Sequence, residues 1–417
     1  MEVFIWRYII NLRGKIIAIL LIAFFVLSNS VIATDSLYVW SGDKDSSLVN
    51  ANVSENSTNS NVLNLESGSA VLIEQNSGKV LYEHNMHEKL RPASVTKIMT
   101  ILLIMEAIDS GRLSYDDQIP CSENASSMGG SQIWLDVRET LSVREMLKAI
   151  CVVSANDCTV AMAEYLAGSE EAFVAQMNNK AKELGMNDTT FKNCHGIDTD
   201  GHVTSSYDIA LMSRELLTKH PKITEFTTIW MDTLRDGKSE LVNTNKLIRN
   251  YKGATGLKTG STSLALYNLS ASATRDGLSL IAVIMKAPTT KIRFSEATQL
   301  LDYVFSNYSY KEFGKTGDTV KSLVVNKGVN SSVDAVLENS CGALVRKGED
   351  KNLTQNITLD DTISAPVTKG QKLGEVSYSI NGEVVGKSNI IASDDVKKIS
   401  LWNMTTYLYE TWYKLVR

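Results

Sequence analysis

The sequence of 417 residues contains little proline and little cysteine, five of each, and its longest apolar run is far shorter than a membrane span. Five cysteines in so long a chain exclude a disulfide-rich scaffold. No two of them have the spacing Cys-x-x-Cys, so nothing predicts a zinc site. An odd number leaves at least one thiol unpaired, and we expect the cysteines to be buried structural thiols.

Basic residues are not in excess either. The chain has 42 Lys and Arg against 47 Asp and Glu, a formal net charge of -5, which argues against a nucleic-acid-binding protein. With 43% hydrophobic and 21% charged residues it has the composition of a globular protein. At about 150 residues per domain, the length predicts two to three domains.

The N-terminus has the pattern of an export signal. Arg7, Arg13 and Lys15 precede an apolar run over residues 16–27, and small residues follow at 31–33. Because a bilayer span needs about 20 apolar residues, this pattern predicts a secretory signal peptide over residues 1–33, cleaved near Ala33. An uncleaved membrane anchor is the alternative, and in both cases we expect the rest of the chain to be exported.

Residues 34–66 are rich in Ser and Asn and have little apolar periodicity, which predicts a flexible tether. Residues 67–308 then predict a domain with an antiparallel sheet built from distant segments and packed against a helical cluster, an α/β (α+β) fold. Its strands are predicted as hairpins over residues 70–82 and 266–285. Its helices are predicted at residues 95–105, 143–153, 159–166, 172–184, 206–217 and 291–305.

The last hundred residues have a different pattern. Short β-branched stretches separated by Gly and Asn turns predict a small all-β domain over residues 309–392. Residues 393–417 place Leu401, Met404, Leu408, Trp412 and Leu415 on one helical face, which predicts an amphipathic terminal helix. Its aromatic residues favour contact with a membrane surface, and docking onto the protein itself is the alternative.

Three short motifs carry the chemistry. Ser94 and Lys97 lie three residues apart at the start of a predicted helix, so hydroxyl and amine share one face. Ser154 and Asn156 lie between two predicted helices, and Lys258-Thr259-Gly260 precedes a predicted hairpin. Each motif alone is weak, but the ordered triple in these contexts is specific.

The chain resembles the low-molecular-mass penicillin-binding proteins that act as serine D-alanyl-D-alanine carboxypeptidases. The matching stretches, which together cover about residues 67–417, are residues 91–100, 154–157, 195–206, 256–260, 267–269 and 366–374. The resemblance implies the penicillin-binding/serine β-lactamase-like transpeptidase fold with a C-terminal β-domain. One departure is Ser263-Leu264-Ala265, where many members have an acidic residue and a glycine.

The resemblance also implies the role of each site residue. Ser94 would be the nucleophile and Lys97 its base, with Ser154 and Asn156 completing the catalytic group. The residues that would bind the substrate, its carboxylate and its oxyanion are Lys258, Thr259, Gly260, Ser261, Thr262 and Arg293. We expect no cofactor and no metal. The expected partners are the peptidoglycan pentapeptide stem and β-lactam antibiotics, with no nucleic acid.

Other interpretations remain open at this point. His195 and His202 invite a Ser-His mechanism, but the resemblance supplies Lys97 as the base, so we expect both histidines to be structural. Asp157 is predicted to cap a helix. A serine β-lactamase of the same fold is disfavoured because no Glu-x-x-Leu-Asn sequence lies between residues 156 and 258. An inactive peptidoglycan-binding scaffold is disfavoured because every motif residue is present.

Overall fold

The computed structural model of the chain describes residues 63–400 together with Met404, Thr405, Tyr409 and Trp412. The predicted signal peptide and nearly all of the predicted tether lie outside these residues. The helices are α1 Lys97–Asp109, α2 Glu123–Ser126, α3 Val143–Val152, α4 Asn156–Ala167, α5 Glu170–Glu183, α6 Ser206–Lys219, α7 Thr224–Thr227, α8 Leu247–Asn250 and α9 Thr290–Asn307. Short 3-10 helices cover Ala93–Thr96, Pro221–Ile223 and Asp350–Asn352.

The strands up to the end of α9 are β1 Ser69–Glu74, β2 Val80–His84, β3 Gln118–Pro120, β4 Thr140–Ser142, β5 Met231–Leu234, β6 Ser239–Val242, β7 Ala254–Thr262, β8 Leu266–Arg275 and β9 Leu278–Ala287. The strands after α9 are β10 Tyr308–Gly314, β11 Thr319–Asn326, β12 Ser332–Leu337, β13 Cys341–Arg346, β14 Leu353–Leu359, β15 Thr362–Ser364, β16 Lys372–Ile380 and β17 Glu383–Ala392.

A five-stranded antiparallel sheet, in the order β2-β1-β9-β8-β7, forms the centre of the first part of the chain. It joins strands from both ends of this region, because β1 pairs directly with β9. This confirms the prediction of an antiparallel sheet built from distant segments. The order leaves β7, which carries Lys258-Thr259-Gly260, at an open edge of the sheet.

The sheet is buried on both faces. Alternate residues of β1 enter different cores: Val71 and Ile73 join the helical cluster, whereas Ala70 and Leu72 pack with α9. Strands that are covered on both faces have continuous apolar sequences rather than alternating apolar and polar residues. All six residues of β1 are buried. The helical cluster therefore covers one face of the sheet and α9 covers the other.

Among the helices of the cluster, α1 is the most deeply buried. Ten of its thirteen residues are buried, and its apolar side chains face neighbours on nearly every side. A helix that is apolar all round belongs in the interior of a protein. Because α1 begins at Lys97, its position in the core fixes where that amine and the preceding Ser94 lie.

All five cysteines are buried and unpaired, as expected from the sequence. Cys151, Cys158 and Cys194 have essentially no exposed surface. Burial raises the pKa of the Cys151 thiol to about 12, so this thiol stays protonated at neutral pH. These side chains therefore behave as small apolar groups that fill the core.

The part of the chain after α9 is all-β, as predicted. Six strands form a sheet in the order β14-β16-β17-β12-β11-β15, and β10 pairs with β13. The pair β11 and β15 is parallel, whereas the other neighbours in the six-stranded sheet are antiparallel. Alternating side chains of β11, β12 and β16 form the separate apolar core of this region.

The prediction that the terminal helix begins at residue 393 is wrong. Val396 pairs with Val367, and Lys398 pairs with Gly328, so this stretch continues the β structure. The reason is burial: Val396 is inserted into the β core, where an extended backbone also satisfies its peptide groups. Met404, Thr405, Tyr409 and Trp412 are helical, and the rest of that segment lies outside the described residues. No described helix has the length and apolar character needed to cross a bilayer.

Candidate active site

The three sequence motifs meet in one place. Ser94 lies in the 3-10 turn Ala93–Thr96, which runs directly into α1, so Lys97 follows it by one turn. The Nζ atom of Lys97 lies 3.2 Å from Ser94 Oγ. Ser94 is partly exposed, whereas Lys97 is fully buried beneath it. A nucleophile and a base therefore stand within hydrogen-bond distance.

Close backbone contacts fix the turn that presents Ser94. Ala93 has a φ of +49°, an uncommon conformation for a residue with a side chain. Two glycines approach this turn so closely that a side chain would not fit. A Cβ atom at Gly196 would lie 1.9 Å from the Ala93 carbonyl oxygen, and one at Gly260 would lie 2.8 Å from the Ser94 nitrogen. The nucleophile is thus held between the loop at Gly196 and strand β7.

Lys97 is surrounded by oxygen acceptors. Its Nζ donates to Asn156 Oδ1 and to the His195 carbonyl, both at 2.6 Å. Burial lowers the pKa of Lys97 well below its usual value, and the nearby Lys258 cation lowers it further, while Cys194 and Asp157 act in the opposite direction. A buried lysine of this kind is neutral at a much lower pH than an exposed one and can act as a base.

Asn156 contacts the same lysine from the start of α4, and Ser154 lies two residues before it. Ser154 has a φ of +66° and is buried, and within the described residues no hydrogen-bond partner reaches its Oγ. Buried hydroxyls are normally paired, so an unpaired one two residues before Asn156, which binds Lys97, is a candidate group for a substrate contact. Asn156 is held by the opposite loop, because its backbone nitrogen donates to the Ser131 carbonyl and its Nδ2 to that of Gly129.

Asp157 is not the helix cap that the sequence predicted, because the N-cap residue of α4 is Ala155 and no side chain caps it. Asp157 lies in the first turn of α4, but its carboxylate accepts hydrogen bonds from the backbone nitrogens of Ile133 and Leu135 as well as from Cys158. Asp157 is completely buried. It therefore ties the loop over residues 129–135 to the start of α4, directly beside Asn156.

Strand β7 forms the other side of the site. Lys258 is almost completely buried, and its Nζ donates to the Thr259 carbonyl at 3.0 Å. Burial, assisted by the Arg293 cation, lowers the pKa of Lys258 to about 7. Thr259 donates its hydroxyl proton to Thr244 Oγ1 at 2.8 Å. The site thus contains two buried amines, one on the helix and one on the strand.

The remaining predicted residues lie along the end of β7. Ser261 is exposed, and Thr262 is half-buried with its hydroxyl accepting a hydrogen bond from the Ala265 nitrogen. Arg293 is buried and donates to the carbonyls of Gly260 and Asn268. These contacts favour a role in positioning β7, so the assignment of Arg293 to substrate binding stays a prediction.

Two polar residues support the site without having been assigned a role from the sequence. The Nδ2 of Asn268 donates to the carbonyls of Arg91 and Pro92, and its Oδ1 accepts from the Lys286 nitrogen, so it ties β8 and β9 to the segment before Ser94. A fully buried asparagine inside an apolar strand was the available signal. No signal in the sequence indicated the contact of Thr244 with Thr259, because Thr244 lies in a loop between β6 and α8.

The two histidines occupy structural positions. His202 accepts from the Lys192 nitrogen at Nδ1, so its Nε2 carries the proton that reaches Thr96 Oγ1. Thr96 in turn donates to the Ala93 carbonyl. Burial lowers the pKa of His202 to about 4 and that of His195 to about 3, so both rings are neutral at pH 7. Within residues 63–400, no cluster of His, Cys, Asp and Glu could hold a metal ion.

This arrangement defines a class of enzyme: a serine acyl-transfer enzyme of the penicillin-recognising type, with a lysine instead of a histidine next to the nucleophile. Residues 54–289 match the family described as D-alanyl-D-alanine carboxypeptidase, and residues 308–398 match the C-terminal domain of penicillin-binding protein 5. The chain belongs to the D-alanyl-D-alanine carboxypeptidase family, that is, to the low-molecular-mass penicillin-binding proteins.

Individual relatives agree with this assignment. The chain is 47% identical to D-alanyl-D-alanine carboxypeptidase DacF of Bacillus subtilis strain 168 over 318 residues, which is 75% of this chain and 82% of the relative. The crystal structure of penicillin-binding protein 5 from Haemophilus influenzae superposes with a TM-score of 0.70 at 30% identity and covers 81% of this chain and 99% of its own. That of penicillin-binding protein D2 from Listeria monocytogenes, in its ampicillin-bound form, has a TM-score of 0.53 at 33% identity and covers 58% of this chain and 98% of its own. The predicted fold class is thereby confirmed.

Proposed function

We propose that this carboxypeptidase removes the terminal D-alanine from the peptidoglycan pentapeptide stem through an acyl-enzyme on Ser94. The observation that carries the proposal is the contact of 3.2 Å between Ser94 Oγ and a fully buried Lys97. A serine hydroxyl is a weak nucleophile until a neighbouring base takes its proton. Lys97 has the position and the lowered pKa that this task requires.

The hydrogen bonds of Lys97 support its role as the base. A neutral amine has two protons to donate and one lone pair to accept with. The two contacts at 2.6 Å go to the carbonyl oxygens of Asn156 and His195, which only accept. The third contact has Nζ donating to Ser94 Oγ at 3.2 Å; once the amine is neutral, the Ser94 hydroxyl can donate along the same contact. In this arrangement the lone pair faces the proton that must be removed.

Attack by Ser94 Oγ forms a bond to the carbonyl carbon of the penultimate D-alanine and places negative charge on its oxygen. We infer that the backbone N–H groups of Ser94 and Ser261 stabilise this charge. The close approach of Gly260 to Ser94 supports the pairing, because it brings the strand next to the nucleophile's backbone. The proton from Ser94 then resides on Lys97.

Collapse of this intermediate breaks the bond to the terminal D-alanine, whose nitrogen must gain a proton. Ser154 is assigned to transfer that proton, since its buried hydroxyl is otherwise unpaired in the described structure. Asn156 is assigned to hold the substrate amide. The free carboxylate of the terminal D-alanine is assigned to Lys258, Thr259 and Thr262. Water finally cleaves the ester and restores Ser94.

A β-lactam antibiotic would enter the same reaction at Ser94 and remain attached longer. The ampicillin-bound form of the Listeria monocytogenes relative supports this inference. The test uses a fluorescent penicillin and follows the labelled protein on a gel. We expect a long-lived adduct that is lost in Ser94→Ala and retained in Ser127→Ala, a matched change of an exposed serine. D-Alanine should be released from a pentapeptide by the wild-type enzyme and by the control.

The same experiment separates the alternatives. Rapid turnover of the label would indicate a β-lactamase. An absence of labelling would contradict every enzymatic role and leave a peptidoglycan-binding scaffold. A stable adduct without release of D-alanine would refute the carboxypeptidase activity alone.

We also propose that residues 1–33 direct export and that the enzyme acts at the cell wall or the outer face of the cytoplasmic membrane. Action on peptidoglycan requires a location outside the cytoplasm. We propose a catalytic domain over residues 67–308 and a β-domain that begins at residue 309. The β-domain would continue to about residue 399, because Val396 and Lys398 pair within it.

The terminal segment is proposed to contact the membrane surface. Tyr409 and Trp412 are both exposed, which suits an interfacial helix. We expect truncation after Ser400 to release the processed protein from membranes without changing its release of D-alanine. This deletion leaves the buried Val396 in place, so it spares the β core. Unchanged sedimentation with membranes would contradict the assignment.

A further inference from the structure

Strand β14 forms an unprotected edge of the six-stranded sheet. It comes first in the order of strands and pairs only with β16 among the described strands. Its seven residues include no charge and no proline, and six of them are exposed. Natural sheets protect their edges with short strands, prolines or charges, because free backbone groups otherwise pair with another chain. The opposite edge is protected in this way, since β15 has three residues and Pro366 follows shortly after it.

The pairing of β16 shows which backbone groups of β14 point outwards. Ile380 pairs with Glu383 across a two-residue turn, so its peptide groups point to β17. On the other side Ile380 lies opposite Leu353, whose N–H and C=O therefore point away from the sheet. By alternation the same holds for residues 355, 357 and 359. Within residues 63–400, no backbone hydrogen bond from another segment reaches these groups. The edge thus offers a row of free donors and acceptors.

The side chains of β14 form one apolar face and one polar face. Leu353 and Ile357 are 37% and 43% exposed. Ile357 lies opposite Val376, a buried residue of the β core, so both apolar side chains lie on the core face of the sheet. The residues of the other face are Thr354, Asn356 and Thr358. The apolar core therefore continues to the edge of the sheet and is open to solvent there.

The sequence of β14 is complementary to itself in an antiparallel pair. A pair centred on Asn356 gives the matches Leu353–Leu359, Thr354–Thr358 and Gln355–Ile357. This register also brings outward-pointing backbone groups opposite each other, because residues 353, 355, 357 and 359 pair among themselves. Just outside the strand, the exposed Lys351 of one copy comes opposite the exposed Asp361 of the other, and two-fold symmetry repeats this charge match.

We propose that β14 is a dimerisation strand and that its partner is β14 of a second copy of this chain, paired antiparallel about Asn356. The two six-stranded sheets then form one continuous sheet, with the apolar face of each copy extending that of the other. A single strand pair buries less surface than the roughly 1,600 Å² of a standard interface, so we expect a Kd on the order of 10 µM. This surface lies in the β-domain, and the proposal does not depend on the catalytic reaction.

Cysteine cross-linking of the full chain in detergent solution tests the register. Two copies of Asn356 would face each other at a position without backbone hydrogen bonds, where Cα atoms lie about 4.5 Å apart, within reach of a disulfide. Asn356→Cys should therefore give a disulfide-linked dimer on a non-reducing gel after mild oxidation. Thr354→Cys and Thr358→Cys should each stay monomeric, because their own copies lie about 14 Å apart, but they should cross-link when mixed. The native cysteines are all buried, so the wild-type chain should give little background.

Sedimentation equilibrium tests the association itself. Ile357→Lys places an ammonium group on the edge and should weaken dimerisation by about tenfold or more. Val324→Lys is the matched control, since Val324 is an exposed valine on β11, an interior strand of the same sheet. This control should dimerise as the wild-type protein does. Unchanged circular dichroism spectra and Tm values would show that both variants are folded.

Three results would overturn the proposal. A wild-type chain that stays monomeric up to about 100 µM would leave the edge to another segment of this chain or to a different partner. Equal cross-linking of Asn356→Cys and Val324→Cys would indicate random collisions. Failure of the mixed Thr354→Cys and Thr358→Cys proteins to cross-link would refute the pairing about Asn356.

Discussion

The alkaline pH dependence of the enzyme tests the assignment of Lys258 to the substrate carboxylate. Its amine is almost completely buried, and burial together with the Arg293 cation lowers its pKa to about 7. Since the protonated form is the one that attracts a carboxylate, binding should weaken as the pH rises. At pH 8 about one tenth of the free enzyme would keep this proton, and at pH 9 about one hundredth. We therefore expect kcat/KM to fall about tenfold for each pH unit above 7.

Titration of the other lysine, Lys97, changes the activity in the opposite direction. Lys97 must be neutral to accept the proton of Ser94, and its pKa lies well below the usual value. Activity should therefore rise with pH through the titration of Lys97 and fall through that of Lys258, which gives a bell-shaped profile. Because the two amines influence each other, both limbs report the pair as well as the individual groups.

Lys258→Arg separates the two effects. A guanidinium keeps its charge throughout the accessible pH range, so the alkaline limb should disappear even if the maximum rate is lower. The assay is the initial release of D-alanine, at substrate concentrations below KM, from about pH 5 to about pH 9. A substrate with a C-terminal amide, followed by the release of D-alaninamide, should show no alkaline limb with either enzyme. Lys252→Arg, at an exposed lysine just before β7, should leave the profile unchanged.

An alkaline limb that persists at the same pH in Lys258→Arg would refute this reasoning, because another group would then be titrating. A wild-type profile that stays flat above about pH 7 would refute it as well. Either result would remove Lys258 from the carboxylate site while leaving the roles of Ser94 and Lys97 intact.

Two further predictions concern stability. Gly196→Ala should lower the free energy of unfolding by about 3–5 kcal/mol and abolish acylation, because its Cβ would overlap the Ala93 carbonyl. The control Gly185→Ala, at a glycine that also has positive φ but open space around it, should lower it by only about 1–2 kcal/mol. Equal losses of the two variants in denaturant titrations would contradict this prediction. The pKa of His202 falls from 6.5 to about 4 on folding, so the unfolded chain takes up a proton first and stability decreases as the pH falls below about 6.5. His202→Gln should therefore lose about 2 kcal/mol less than the wild-type protein between pH 7 and pH 5, and an unchanged acid dependence would count against a buried neutral ring.

Local patterns in the sequence were sufficient to predict most of the elements. The apolar runs at β1 and β9 and the periodicity of α3 and α6 predicted elements within a few residues of their observed bounds, because burial of apolar side chains drives both pattern and structure. The prediction for the stretch from residue 393 was wrong because no such pattern exists there. A single apolar residue such as Val396 has no period, so only its partner Val367 shows that it belongs to a sheet.

The motifs predicted which side chains take part in catalysis, but the distances between remote segments could not be predicted from the sequence. Ser94 and Lys97 are three residues apart, so helical geometry alone brings them together. The contacts of Lys97 with Asn156 and the His195 carbonyl span 59 and 98 residues and depend on packing. The lowered pKa of Lys97 is likewise a property of the fold, since burial and a second lysine from β7 cause it.

The sequence by itself determined the class of the enzyme, since the nucleophile and its base lie within one helical turn and the ordered motifs have no other common context. Only the tertiary structure decided how the site is held: a glycine on β7 that admits the strand to the Ser94 backbone, an asparagine on β8 that ties down the segment before it, and an aspartate that ties the loop over residues 129–135 to the start of α4. The physical reason is that a local pattern records which side chains share a face, whereas close approach and desolvation arise only when distant segments pack together.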